Sequence, residues 1–481
     1  MKDLLNTAYD PEAFRRAGHA LIDLLADHMG QMATRPEQPV IDWQQPEAAR
    51  AYWHAYEADA DKPEQLFADI LKNSIHLHHP RYMGHQISVP APMAALTSLL
   101  DAALNNGMGV YEMGQAGTAI EKVVVDVFNK TIGFGEASDG FLTSGGTLAN
   151  LTALLCARQL KSNGDVWTEG LKERTAILVS EEAHYCVDRA VRIMGMGSEG
   201  IVKVPVDDRY KIRVEQLEQC YQQALTKGLR VIALVGSAPS TSTGAYDDLE
   251  ALADFAEQHQ LWFHVDGAHG GAAIFSAKYK HLLKGIERAD SVAIDCHKML
   301  MTPSVATALL FRKGQDAYAT FSQKAQYLWA RSKQEEWHNL ARRTFECTKL
   351  MMSLRFYTLY KMYGLAVFEQ FVDTLYDSGR QFAKLIVAAS DFEGAVEQPD
   401  ANIVCFRYIP EGDLSDEQTN ELNRHIRQQL LEDGRFYIVS TQLRGKQYLR
   451  VALMNPFSKP SDFEELLSCI RMVVSKLLEN A

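Results

Sequence analysis

The chain has 481 residues, 47% hydrophobic and 23% charged, which predicts a soluble globular protein of about two or three domains and argues against wholesale disorder. A formal net charge of −12 argues against nonspecific binding to nucleic acid or to an anionic membrane, which requires a basic face. Seven cysteines, odd in number and never spaced as CxxC, point to reduced thiols in a cytoplasmic protein and away from a disulfide framework or a zinc site.

The N-terminus, Met-Lys-Asp-Leu-Leu, meets an acidic residue at once, so no signal peptide is expected. No apolar run approaches the ~20 residues that span a bilayer. Residues 93–104 come nearest, and Asp101 marks them as a buried helix. Residues 1–80 read as mostly helical, with helical period over 11–28 and 61–71 and a proline-containing link at 35–46. From about Phe141 the texture changes. Short apolar runs rich in β-branched residues, at 176–180, 231–235, 261–265, 291–295 and 307–311, alternate with helical patterns. They predict parallel strands of a doubly wound α/β sheet, in which ligands bind beyond the carboxyl ends of the strands. After Arg342 a long helical stretch is expected to about Tyr363, ending at Gly364. Helices at 365–389 and 415–431 with short strands at 403–408, 436–440 and 447–452 predict a smaller C-terminal α+β domain. The expected division is 1–80, 81–363 and 364–481.

The residues that follow these strands carry the chemistry. In Ser291-Val-Ala-Ile-Asp-Cys-His-Lys298 an apolar strand ends at Asp295, and His297 and Lys298 stand at its exit. A lysine at the rim of a buried sheet can be desolvated, which lowers its pKa and makes it a nucleophile toward an aldehyde. Taken alone, it reads more readily as a solvated lysine after a strand. The segment Leu261-Trp-Phe-His-Val-Asp266-Gly-Ala-His-Gly-Gly271 is a second strand ending in a carboxylate. Asp266 by itself could cap the next helix. Paired with Lys298, 32 residues on, it points to pyridoxal phosphate, whose ring nitrogen stays protonated opposite a buried aspartate. Upstream, Asp139-Gly-Phe-Leu-Thr-Ser-Gly-Gly-Thr-Leu-Ala-Asn150 opens an apolar helix with small residues, as a phosphate cradle requires. His184 follows the run at 176–180 and can stack on a flat ring; alone it would read as an ordinary core or surface histidine. The turn Pro239-Ser-Thr-Ser-Thr-Gly-Ala-Tyr-Asp247 offers hydroxyls, Thr241 among them, to the ring oxygen or the phosphate.

With these elements in order, the sequence resembles the group II pyridoxal-phosphate-dependent amino-acid decarboxylases, a family that includes aromatic-L-amino-acid, glutamate, cysteine-sulfinate and 2,4-diaminobutyrate enzymes. The resemblance runs from His79-Pro-Arg-Tyr-Met through Thr143-Ser-Gly-Gly-Thr, Ala183-His184, His264-Val-Asp266 and Asp295-Cys-His-Lys298 to Gln447-Tyr-Leu-Arg450-Val. It implies the fold type I architecture of aspartate aminotransferase, with a mostly parallel seven-stranded sheet flanked by helices and a smaller C-terminal α+β domain. It also implies a homodimer with active sites at the interface, whose N-terminal helices wrap the partner. Carried over residue by residue, Lys298 resembles the Schiff-base lysine, Asp266 the pyridinium partner and His184 the stacking residue. Ala268 matches the small residue on the opposite ring face, and Gly146, Thr147 and His297 match phosphate contacts. Gln86 and Ser88, in Gly84-His-Gln-Ile-Ser88, match a loop that lines the substrate side chain.

One departure concerns the proton donor. Aromatic-type members carry a loop tyrosine that protonates the reacting carbon after carbon dioxide leaves. Here residues 327–338 hold no tyrosine after Tyr327, which leaves Tyr327 and His338 as alternatives and an aldehyde-forming side reaction open. The expected activity is decarboxylation of an L-amino acid, aromatic or short diamino, to the amine. The rivals are another fold type I enzyme (carbon–carbon lyase, aminotransferase or decarboxylating aldehyde synthase) and a noncatalytic binding protein.

Overall fold

A computed structural model of the chain describes residues 4–34, 37–321, 337–410, 412 and 414–479. The chain divides into two compact units, one formed by Gln86–Arg380 with Val396–Val404, the other by Met1–His85, Gln381–Ala395 and Cys405–Ala481.

In the first unit the apolar runs become strands of a seven-stranded sheet: β1 (Asp139–Thr143), β2 (Thr175–Ser180), β3 (Ile201–Val204), β4 (Arg230–Ser237), β5 (Trp262–Asp266), β6 (Ser291–Asp295) and β7 (Thr307–Phe311), in the order β1-β7-β6-β5-β4-β2-β3. Every position of β2, β6 and β7 is buried, the pattern of strands covered on both faces. Six strands run one way. β7 is antiparallel to both of its neighbours, which corrects the expectation that 307–311 joins the parallel set. The cause is the connection: residues 296–306 are too few for the crossover that a parallel return needs, so the chain doubles back. The register His264↔Ser291 through Asp266↔Ala293 carries β6 two residues beyond the end of β5 at the same edge, which sets Asp295 just past Asp266.

The helix Gly146–Lys161 packs against β4, β5, β6 and β7. Its buried residues include the small Ala149, Ala153, Cys156 and Ala157, which let it lie close to the sheet. Two further expectations change. Residues 139–143, read with the small residues that open the next helix, form β1. The long helix expected after Arg342 is confined to Ser353–Tyr363, because 343–352 is held by side chains instead. Within that segment Lys349 reaches Glu121 at 2.5 Å and the Leu142 carbonyl at 2.5 Å, and the Leu142 N–H donates to Glu121 at 3.0 Å. A buried ion pair thus satisfies the backbone of edge strand β1. The helix Pro92–Leu104 does bury Asp101, but Leu96, Leu99, Leu100 and Leu104 stay 42–53% exposed, so it is buried on one side only.

Most of a four-stranded sheet belongs to the second unit: β8 (Phe392–Gly394), β9 (Ile403–Tyr408), β10 (Val439–Leu443) and β11 (Lys446–Ala452), in the order β10-β11-β9-β8. The helix Asp416–Asp433 begins with a capping box in which Ser415 and Gln418 satisfy each other's backbone. The N-terminal helices Pro46–Ala55 and Pro63–Lys72 start on proline, whose fixed φ suits the first helical turn.

Candidate active site

Five strand ends, those of β1, β2, β4, β5 and β6, open on one cavity of about 310 Å³. Gly146, Thr147, His184, Thr241, Asp266, Ala268, His297 and Lys298 all line it. Gln86 and Ser88 do not. The Ser88 N–H and hydroxyl both donate to the His297 carbonyl, at 3.3 and 3.2 Å, so Ser88 buttresses the segment that carries His297.

After β1 the chain turns at Gly145, whose φ of +109° excludes most side chains. At Gly146 a Cβ would lie 3.1 Å from Asp295 Oδ1 and 3.3 Å from the Ala268 Cβ, so any side chain there would press on both neighbours. The amides of Gly146 and Thr147 are among the four that any α-helix leaves without a carbonyl of its own. Sixteen residues of helix stand behind them and give this end a partial positive charge suited to a phosphate.

His184 caps the helix Tyr185–Ile193, its Nδ1 accepting from the Cys186 N–H at 3.3 Å, which leaves the proton on Nε2. Burial pulls its pKa down against the attraction of Asp266, so the ring is neutral at neutral pH. At the end of β4, Asp247 accepts from the amides of Ser237 and Ile212, each at 2.8 Å, and anchors the turn that bears Thr241. Asp266 accepts from the Ala268 N–H at 3.2 Å. It does not cap a helix: the next one, Gly271–Phe275, is capped by Gly270.

Lys298 departs from expectation. Its Nζ sits 2.9 Å from Asp295 Oδ2. Burial alone would lower its pKa, but Asp295 first, then Asp266, outweighs burial and holds the amine above its ordinary range. Asp295 is therefore the nearest charge to Lys298, a contact the motifs did not announce. Its signal was the three-residue spacing to Lys298, which puts both side chains on one side of a helical turn.

A second missed feature is a buried chain of hydrogen bonds behind the cavity. Trp262 Nε1 donates to Ser291 Oγ at 2.9 Å, and that hydroxyl lies 2.8 Å from His264 Nδ1. His264 Nε2 lies 2.9 Å from Asn150 Oδ1, and Asn150 donates to Cys186 Sγ at 3.2 Å. With the Asn150 amide donating to Cys186, its Oδ1 accepts from His264 Nε2, while Nδ1 faces both the Ser291 hydroxyl and, at 3.2 Å, the Ser291 carbonyl. The chain ties β5 and β6 to the helices that carry Thr147 and His184. Of the proton-donor alternatives, Tyr327 lies outside the described residues. His338 packs edge-on against Tyr111 and Trp337, with ring centres 5.4 and 5.7 Å apart.

The donor set suits a flat, anionic aldehyde: helix amides for a phosphate, a carboxylate for a protonated ring nitrogen, an imidazole beside the ring and an amine for the aldehyde. Residues 46–409 match the family model described as the pyridoxal-dependent decarboxylase conserved domain. The chain is 27% identical over 480 residues to an aromatic-L-amino-acid decarboxylase of Bacillus atrophaeus, covering 98% of each. It is 29% identical over 464 residues to an aspartate 1-decarboxylase of Aliivibrio fischeri, covering 86% of this chain and 83% of the relative. Among solved structures, the glutamate decarboxylase domain of diaminobutyrate-pyruvate transaminase and L-2,4-diaminobutyrate decarboxylase from Vibrio parahaemolyticus superposes with a TM-score of 0.81 at 27% identity, covering 95% of this chain and 96% of that one. The chain belongs to the pyridoxal-dependent decarboxylases. It has their fold type I architecture, and it is a carboxy-lyase acting on an amino acid with pyridoxal 5'-phosphate as cofactor.

Proposed function

We propose that this enzyme decarboxylates an aromatic or short diamino L-amino acid to its amine, as a cytoplasmic homodimer, with Lys298, Asp266 and His184 as its catalytic residues. The observation that carries the assignment of roles is the single cavity into which strand ends from across the sheet bring an amine, a carboxylate, an imidazole and two helix amides. When bound, pyridoxal phosphate supplies an aldehyde that condenses with amines and a pyridinium that accepts the electron pair freed as carbon dioxide leaves. Asp266 keeps a proton on the ring nitrogen. His184, neutral and with its Nε2–H free of the cap, packs on the ring and meets the substrate carboxylate. Ala268 leaves room on the other ring face. Gly146, Thr147, His297 and Thr241 would hold the phosphate and the ring oxygen, and Lys298 would hold the aldehyde. Gln86 and Ser88 belong to the loop that meets the substrate side chain, and Tyr327 or His338 returns the proton to Cα.

No arginine lines the cavity among the described residues, so a second carboxylate on the substrate would find no cation of its own there. That supports a neutral aromatic or an amine-bearing side chain. The aspartate 1-decarboxylase likeness supports the rival, an acidic substrate. For the dimer, the leucine face of Pro92–Leu104 and the exposed Leu4, Tyr9 and Phe14, at 77%, 84% and 63%, are the apolar area a partner would cover. Residues 1–80 would wrap that partner, with 81–363 and 364–481 as the cofactor-binding and small domains. Among the described residues no helix is long and apolar enough to cross a membrane. The seven cysteines form no disulfide and six of them are buried, which suits a reducing cytoplasm.

Carbon dioxide release from a panel of aromatic, diamino and acidic amino acids, with the product identified, tests the substrate. Amine from an aromatic or diamino acid is expected. Turnover confined to aspartate, glutamate or cysteine sulfinate would replace this assignment with the acidic one, and aldehyde as the main product would make the enzyme an aldehyde synthase.

A further inference from the structure

We propose that Asp295 is a positioning residue for Lys298: it holds the lysine as an ammonium whenever that side chain is not bonded to the cofactor, and so sets the pH at which the lysine can react. This rests on Lys298 being the cofactor lysine. Asp295 closes β6, and its side chain is only 2% exposed. One oxygen lies 2.9 Å from Lys298 Nζ and 3.7 Å from His297 Nε2. The other accepts from the Thr307 hydroxyl. The missing side chain of Gly146 leaves room for both oxygens, which would stand 3.1 and 3.3 Å from a Cβ there, beneath the positive end of the helix Gly146–Lys161. The carboxylate is therefore placed by the Thr307 hydroxyl from β7 and by His297 on its own segment before the lysine contributes.

The charged and titratable groups facing Lys298 are Asp295 and His297 on its own segment, Asp266 from β5, and His184 and Cys186 from the segment after β2. His184 is neutral, so two carboxylates decide the balance. Against the effect of burial, Lys298 first, then His297 and the Thr307 hydroxyl hold the Asp295 carboxyl below its usual range. The pair is an ammonium and a carboxylate. Only the neutral amine attacks an aldehyde: the ammonium gives a proton to solvent, the nitrogen lone pair forms the C–N bond, and the aldehyde oxygen leaves as water. Asp295 opposes the first of these events. When a substrate amine later displaces the lysine, the same carboxylate takes it back as an ammonium and keeps it from competing for the aldehyde.

The test uses full-length protein stripped of cofactor. The rate at which added pyridoxal phosphate forms a borohydride-reducible adduct is measured from neutral to alkaline pH, and the modified lysine is mapped. The Asp295→Asn variant is expected to move the midpoint of the rate profile down by about 1–3 pH units and to load at least about tenfold faster at neutral pH. Asp295→Glu should return the midpoint toward wild type. An unchanged midpoint in Asp295→Asn, with the adduct still on Lys298, overturns the proposal. An adduct on another lysine overturns instead the assignment of Lys298, and this inference with it. Should Asp295→Asn fail to fold, wild type alone decides: acylation of the cofactor-free Lys298 should titrate at or above the free-lysine value of about 10.4, and a midpoint well below it refutes the ion pair's role.

Discussion

At Asp266 the sequence left two readings, helix cap or ring partner, and the difference between them is where the next helix begins. With Gly271–Phe275 capped by Gly270, the Asp266 carboxylate has no helix to serve and faces the cavity. Asp266→Asn keeps the shape and removes the charge, and kcat/KM should fall by about 10²–10³-fold while the thermal midpoint holds; an active variant would dismiss the pyridinium role. Gly146→Ala would set a methyl group 3.1 Å from the Asp295 carboxylate, so weaker cofactor retention on dialysis is expected, without loss of fold. The residues lining the cavity were legible because they close or follow hydrophobic runs and so fall at or beyond a strand's carboxyl edge. Asp295 and His264 were not, because their roles depend on which neighbour the fold brings up: Lys298 one helical turn away for the former, Asn150 and Ser291 from other elements for the latter.

Elements with a plain signature were readable, and those whose state depends on a partner were not. The runs that became β2, β4, β5 and β6 are apolar through most of their length, as strands covered on both faces are. β3 was missed: three of its four residues are not fully buried, and it is too short to show a pattern. β1 was hidden by its glycine and by the turn that follows. Nothing in the composition of β7 reveals its direction; only the length of its connection does. The edge of β1 depends on the Lys349–Glu121 pair, in which each side chain is 2% exposed and burial draws the lysine pKa down against the pull of Glu121. Lys349→Met strands a buried carboxylate and should cost about 3–5 kcal/mol in urea unfolding. Adding Glu121→Leu should recover much of that loss, and a fully additive double variant would argue against the coupling.

For the whole molecule, buried titrating groups give stability a predictable slope with pH. Burial lowers His264 to about 4, and lowers His76, with His28 and His79 nearby, also to about 4, from an ordinary 6.5. Below pH 6.5 the unfolded chain takes up protons that the folded chain refuses, so these two groups remove stability as pH falls toward about 4. Asp247 acts oppositely. Burial raises it from 3.8 to about 6, so the folded chain binds its proton first and gains stability over that interval as pH falls. Two histidines against one aspartate leave a net loss: the thermal midpoint should fall from about pH 6.5 to about pH 4, and a flat or rising midpoint would contradict the neutral buried state of His264. The exposed leucines of Pro92–Leu104 belong to this scale too, and light scattering should return twice the chain mass if a second copy covers them.

The central claim is that one lysine, at the end of β6, carries the cofactor. Borohydride reduction of the holoenzyme followed by peptide mapping tests it most directly. A single pyridoxyl group on Lys298, lost together with carbon dioxide release in Lys298→Ala, is the predicted result. A pyridoxyl group on any other lysine, or a Lys298→Ala variant that still turns over, would contradict it.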